Sequence, residues 1–248
     1  MAGGIMLTDL IGAGILLAYY LVACGVLPTL LRAWRRVPTE LIRKTQHVAY
    51  SLSVFILLRC FSTWYAAIGA SLLLVLIAFP VLAALERTSL YRRLSVDRAE
   101  RGGELRKQLL YVQLSFAILI AVFWGVLGTR WPWAIGVAVM AWGFGDAAAA
   151  LVGKAFGRRR FLHRWIEGAK TREGTLAMIL VGGLALFLTL LLYAGKPWYT
   201  SLLISAVVAP VCGVVELFSR RGTDTLTVPL SAAALILPLV LLFSLWGW

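Results

Sequence analysis

The charges of this 248-residue chain fall in alternate gaps between long apolar runs. Of its 24 Lys and Arg, all but Arg59, Arg130 and Lys196 lie in four short segments, 32–44, 85–107, 153–173 and 219–225. The gaps between those segments are almost bare. Alternation of basic and bare loops is what the positive-inside rule produces in a polytopic membrane protein. Ten of the eleven acids also lie on or beside the basic side, Asp9 being the exception. Chemistry that needs ionisable groups is therefore expected at the cytoplasmic face of the cell membrane.

Composition closes off the other classes. At 61% hydrophobic residues and mean hydropathy +0.87 the chain is too apolar for a soluble domain. Its apolar runs are long enough to cross a hydrocarbon core of about 30 Å at about 1.5 Å per residue. The net charge of +13 reads as topology and attraction to anionic membrane lipids, with a surplus for a phosphate-bearing ligand. No basic stripe interleaved with exposed aromatics argues for nucleic acid. Cys24, Cys60 and Cys212 are isolated and read as small core residues.

The pattern predicts an all-α, polytopic transmembrane helix bundle of about eight spans, near 6–31, 45–60, 63–85, 108–128, 131–152, 174–194, 198–218 and 226–246. Both termini would lie outside, and residues 1–248 form one catalytic domain. The run from residue 6 to the basic stop at Arg32 reads as a first span rather than a cleaved leader. Trp64, Trp131, Trp133, Trp198, Trp246 and Trp248 sit at outer ends, as an interfacial belt would. Gly125/Gly128, Gly182/Gly183 and Gly153-x-x-x-Gly157 suggest close helix packing. Phe161, Leu162, Trp165 and Ile166 recur among Arg158, Arg159, Arg160 and Arg164 at a spacing that suggests a short interfacial helix.

Four clusters carry the groups for chemistry. Asp146 lies within the fifth span among small residues, about 10 Å of helix from its inner end. A carboxylate there costs roughly 2–3 kcal/mol, and no cation stands at i±3 or i±4 to offset it. Lys170-Thr171-Arg172-Glu173-Gly174 opens the sixth span. Lys170, Thr171 and free backbone N–H groups suit a phosphate, and Glu173 suits either the helix dipole or Mg²⁺; an ordinary capped basic loop is the other reading. Glu216 ends the seventh span and Asp224 precedes the eighth. They read as metal ligands, or as an i,i+4 partner for Arg220 and an N-cap. Arg43, Lys44 and His47 share one helix face and form a possible phosphate clamp with a titratable group, or plain membrane anchors. Lys154 adds a cation on the same side, whereas His163 reads as a bland member of its arginine-rich loop. Carboxylates for a metal beside cations for phosphates is the equipment of phosphoryl transfer.

Arg43-Lys-x-x-His47, Gly145-Asp-Ala-x-Ala with Gly153-x-x-x-Gly157, Lys170-Thr-x-Glu-Gly174 and Asp224-x-Leu-Thr-Val-Pro229 occur in an order that resembles the CTP-dependent polyprenol kinase family, which includes dolichol kinase, phytol kinase and the CTP-using diacylglycerol kinase. The likeness spans roughly residues 43–230, and its two middle motifs are the specific part. The family usually has Asn after the last Asp, where this chain has Thr225. The motifs are also similar to those of phosphatidate cytidylyltransferases, although 209–230 lacks their Gly-His-Gly-Gly and Asp-Arg-x-Asp patterns.

The resemblance implies a multi-pass enzyme that moves the γ-phosphoryl group of CTP, with Mg²⁺, to a lipid alcohol. Asp146, Glu173, Glu216 and Asp224 would hold the metal or activate the hydroxyl. Lys170, Thr171, Gly174, Arg43, Lys44 and Lys154 would bind phosphates, and His47 would orient or relay a proton. The alternatives are a CDP-lipid synthase, a diacylglycerol kinase, and a carrier of anionic solutes. The sequence identifies neither the lipid nor the oligomeric state, a homodimer included.

Overall fold

A computed structural model of the chain describes residues 2–34, 37–86, 88, 104–166, 170–220 and 222–245. Among them the only non-helical pairing is an isolated antiparallel bridge between Arg160 and Thr171. The protein is a multi-pass, all-α helix bundle. Its helices are α1 (Ala2–Leu21), α2 (Leu27–Ala33), α3 (Thr39–Leu52), α4 (Val54–Arg59), α5 (Trp64–Leu85), α6 (Glu104–Ile120), α7 (Pro132–Phe156), α8 (Arg172–Leu192), α9 (Trp198–Phe218) and α10 (Asp224–Leu245). Among the described residues seven segments are long and apolar enough to cross a membrane: Met6–Ala33, Trp64–Leu85, Leu105–Val126, Pro132–Phe156, Arg172–Leu192, Trp198–Phe218 and Asp224–Leu245.

The expected span at 45–60 begins earlier, at Thr39, and is divided into α3 and α4 at Ser53. Ser53 Oγ bonds back to Tyr50 O at 2.7 Å and meets Tyr20 OH at 2.9 Å. Such back-bonding by a hydroxyl competes with the helical ladder and bends the helix. The first span is joined through a π turn, Val22–Val26. Pro28 opens α2; it has no N–H for the carbonyl four residues back and its ring crowds that carbonyl, so the ladder widens before it.

The chain forms two compact units, Met1–Val126 and Leu127–Trp248. In the first, α5 packs on α6 and α1 contacts α4 and α5. Its interior holds a polar chain: Ser71 Oγ donates to Gln113 Oε1 at 2.7 Å, and Gln113 Nε2 donates to Tyr20 OH. Tyr20 stacks on Tyr50 with ring centroids 5.9 Å apart. All four side chains are buried, so each hydrogen bond replaces a contact that hydrocarbon cannot supply.

The second unit is a ring of four helices: α7 packs on α8, α8 on α9, α9 on α10, and α10 returns to α7. Its α7 is the most enclosed of the seven candidate spans. Small residues let α7 and α8 approach closely. A Cβ on Gly182 would stand 2.9 Å from Ala141 O and 3.3 Å from Gly145 Cα, and one on Gly174 would stand 2.8 Å from Ala149 O. Ala141, Gly145, Ala149 and Gly153 on α7 therefore face Gly174, Met178 and Gly182 on α8, each set spaced by four. Without a hydrophobic force between helices in lipid, this contact between small residues is what draws them together.

Segment 158–166 is not the short helix its periodicity suggests. Phe161 N–H donates to Lys170 O at 3.1 Å and Arg172 N–H to Arg159 O at 2.9 Å. The backbone that would close a helical turn is spent on pairing the two ends of this loop. Trp64, Trp131, Trp133 and Trp198 stand at or beside the first residues of α5, α7 and α9. Trp246 and Trp248, most of the basic segment 85–107, Arg35, Arg36, Arg221 and Glu167 lie outside the described residues.

Candidate functional site

The connections α8–α9 and α9–α10 are short, so consecutive helices of the second unit run antiparallel. One end of that unit thus gathers the C-termini of α7 and α9 and the N-termini of α8 and α10. Most of the ionisable residues singled out in this half of the sequence lie there. Lys154 is in the last turn of α7, Glu173 in the first turn of α8, Glu216 near the end of α9, and Asp224 opens α10. Each terminal charge but Glu216 opposes the partial charge of its helix end, a favourable placement.

Lys170 compensates for Glu216. Its Nζ lies 2.9 Å from Glu216 Oε1 and 3.0 Å from Ser219 O, and it also donates to Glu216 O. An ammonium placed on the carbonyls that close α9 adds a donor where the helix end offers few. Ser219 Oγ meets Thr227 Oγ1 at 2.7 Å, fastening the end of α9 to α10. Thr223 holds the cap position ahead of Asp224, its carbonyl accepting from Leu226 N and Thr227 N at 3.0 and 2.9 Å. Thr225, where the family pattern has Asn, is buried.

Thr171 caps α8. Its Oγ1 accepts from Gly174 N at 3.1 Å, which leaves the hydroxyl proton to be donated elsewhere. The side chain is wedged against α7: a Cβ on Gly157 would fall 2.6 Å from Thr171 Cγ2 and one on Gly153 3.1 Å from Thr171 Oγ1. Gly153, Gly157 and Gly174 thus close the crossing of α7 and α8. Glu173 accepts from Arg159 N through both carboxylate oxygens, at 3.3 and 3.4 Å. An open cleft of about 420 Å³ lies beside it, lined by Ala155, Phe156, Gly157, Arg158 and Glu173.

Asp146 sits ten residues before the end of α7 and is only 8% exposed. Among the described residues it is the one acid of this unit held well inside a helix. Among the described residues no three His, Cys, Asp or Glu side chains are grouped closely enough to hold a metal by themselves. Buried carboxylates such as Asp146 and Glu216 fit Mg²⁺ in its common setting, where one or two protein carboxylates supplement the phosphates of a nucleotide.

In the first unit Arg43, Lys44 and His47 share the inward face of α3. Arg43 pairs with Glu40 one turn earlier, and Lys44 and His47 are buried. His47 Nδ1 meets Gln108 Nε2 of α6 at 2.6 Å; the amide is the donor, so Nδ1 is the accepting nitrogen.

Several partners escaped the sequence reading. Gln108 has no motif around it. Arg220, four residues after Glu216, donates through its guanidinium to Trp165 O at 3.1 Å and Arg164 O at 2.5 Å, contacts that its spacing does not suggest. His163 Nδ1 accepts from Trp165 N at 3.2 Å, a local turn contact.

These features define a multi-pass membrane protein with carboxylates and cations gathered at one end of a four-helix unit. Phytol kinase of Synechocystis sp. is 34% identical over 223 residues, covering 88% of this chain and 87% of that protein. The chain belongs to the polyprenol and phytol kinase family and is a lipid kinase that phosphorylates an alcohol. No protein-family model matches it, and no solved structure matches its fold.

Proposed function

We propose that the chain transfers the γ-phosphoryl group of CTP to the hydroxyl of an isoprenoid alcohol, such as phytol, a farnesol-like or dolichol-like alcohol or a polyprenol. The reaction would run at the cytoplasmic face, with both termini outside. The observation that carries this reading is the likeness to phytol kinase along most of both chains. The concentration of Lys and Arg in the loops that flank Lys154, Lys170 and Asp224 supports the orientation.

In this reaction the alcohol oxygen bonds to the γ-phosphorus. The bridging bond between the γ-phosphorus and the β-phosphate oxygen breaks, and CDP leaves. The hydroxyl proton passes to Asp146, whose enclosure keeps water from competing for the phosphoryl group. Lys170, Thr171, the Gly174 backbone and Lys154 receive the phosphates at the joined ends of α7 and α8. The nucleotide competes with Glu216 for the Lys170 ammonium. Taken by itself, the first unit carries Arg43, Lys44 and His47 on one face of α3, with His47 oriented through Gln108. Mg²⁺, held by oxygens drawn from Asp146, Glu173, Glu216 and Asp224, would neutralise charge developing on the phosphates.

The test is direct. The purified chain in lipid nanodiscs is incubated with CTP labelled at the γ-position and a panel of lipid alcohols. The expected products are CDP and a labelled lipid monophosphate. Release of pyrophosphate with a CDP-lipid would instead establish a cytidylyltransferase. Asp146→Asn lowers turnover by about 10²–10⁴-fold, the usual worth of a general base, with the fold retained.

A further inference from the structure

We propose that the loop between α7 and α8, residues 158–166, is a docking surface for anionic phospholipid: Leu162 and Trp165 enter the headgroup region and the surrounding arginines bind lipid phosphates. Leu162 is 96% exposed and Trp165 52%. Most other exposed large apolar side chains lie on candidate spans, where lipid tails cover them. These two do not. Arg158, Arg159, Arg160 and Arg164 of the same loop are exposed as well.

The loop is fixed in the form that presents these groups. Phe161 and Arg172 donate to Lys170 O and Arg159 O, and Ile166 N donates to His163 O at 3.0 Å. Arg220 holds the carbonyls of Arg164 and Trp165. The guanidinium carbons of Arg164 and Arg220 stand 5.0 and 5.9 Å from the Trp165 ring centroid. Trp165 thus carries cations on an amphipathic ring, a combination suited to the headgroup level.

Placement selects lipid over a protein or a soluble anion. The chain leaves one candidate span at Phe156 and enters the next at Arg172, so the surface next to the loop is the membrane itself. Phe156, 69% exposed at the end of α7, continues the apolar edge. A nucleotide would use the arginines but would leave Leu162 and Trp165 in water. An anionic leaflet uses both.

The test needs no turnover. In the full-length protein, Leu162→Cys takes a thiol-reactive NBD probe, and the unsubstituted chain, whose cysteines are buried or partly buried, gives the background. The labelled protein is reconstituted into vesicles of phosphatidylcholine alone or of phosphatidylcholine with phosphatidylglycerol. Both leaflets have the same composition, so the direction of insertion does not matter.

The expected result is blue-shifted emission, quenched by brominated lipid, in the anionic vesicles only and weakened by high salt. Neutralising Arg158, Arg160 and Arg164 to Gln, with thermal unfolding unchanged, weakens the lipid-bound fraction about fivefold per arginine. Water-like emission in both vesicles overturns the proposal. So does equal burial in pure phosphatidylcholine, which needs no arginine, or a response to CTP and not to phosphatidylglycerol, which marks a nucleotide surface.

Discussion

Lys170→Met tests whether the Lys170–Glu216 pair helps hold the bundle together. The side chains of Lys170 and Glu216 are 19% and 10% exposed, 2.9 Å apart, between an exposed pair worth about 0–1 kcal/mol and a buried pair whose breaking costs about 3–5 kcal/mol. Its ammonium also serves the carbonyls of Glu216 and Ser219, and a cation at a helix C-terminus adds about 0.3–1 kcal/mol. Stranding the Glu216 carboxylate at the C-terminus of α9 therefore costs about 3 kcal/mol. Glu216→Gln costs less, about 1 kcal/mol, because Lys170 keeps both carbonyl acceptors.

The double variant no longer strands a carboxylate and loses less than the sum, leaving a coupling of about 1–2 kcal/mol. For a chain of this length about 2–4 °C of Tm accompanies each kcal/mol, so Lys170→Met unfolds about 6–12 °C below the parent in detergent, read by tryptophan fluorescence. Additivity of the two substitutions within about 0.3 kcal/mol, or a wild-type Tm for Lys170→Met, would refute a structural role for the pair.

Three further outcomes are expected. Gly174→Ala and Gly182→Ala push Cβ to within 2.8 and 2.9 Å of backbone carbonyls on α7 and each cost about 1–3 kcal/mol; Gly69→Ala, with nothing within 4 Å, costs nothing in the same unfolding assay. Gln113→Leu leaves Tyr20 OH and Ser71 Oγ without that partner and costs about 1–2 kcal/mol, much of it recovered when Tyr20→Phe and Ser71→Ala are added. Thr171→Val removes the cap on α8 and lowers stability by about 1 kcal/mol, whereas Thr171→Ser retains it.

Much of this molecule could be read from its residues because hydrocarbon is a strict solvent. Backbone groups there must bond within a helix, so apolar runs bounded by Arg32, Trp64 or Trp198 left little choice of secondary structure. The order of Lys170, Glu173, Glu216 and Asp224 along antiparallel helices placed them at one end for the same reason. The misreadings share a cause: tertiary bonds overrode local pattern. The spacing of Phe161, Leu162 and Trp165 is helical, yet the pairing with residues 170–172 claims the backbone. Ser53 divides the second apolar run because Tyr20, thirty-three residues away, meets its hydroxyl. The contacts of Lys170 with the end of α9 were equally illegible, because nothing near it in sequence announces those carbonyls.

Helix ends explain why the residues proposed for chemistry also serve stability. A helix terminus in a membrane leaves unsatisfied N–H or C=O groups and a partial charge, and the cheapest remedies are ionisable side chains of opposite sign. Lys154, Lys170, Glu173 and Asp224 all stand at such ends, so each has a structural reason to be charged whatever the reaction. On the proposed function, a triphosphate approaching these ends would find ammonium groups, a hydroxyl and helix N-termini already assembled, at little cost to the fold beyond what its helix ends require. Asp146 is different. It stands about 15 Å of helix from the end of α7, where no terminus rewards its charge. Substitutions at Lys170 or Thr171 therefore lower stability and activity together, while Asp146→Asn, which keeps the volume and polarity of the side chain, separates the two by removing turnover alone.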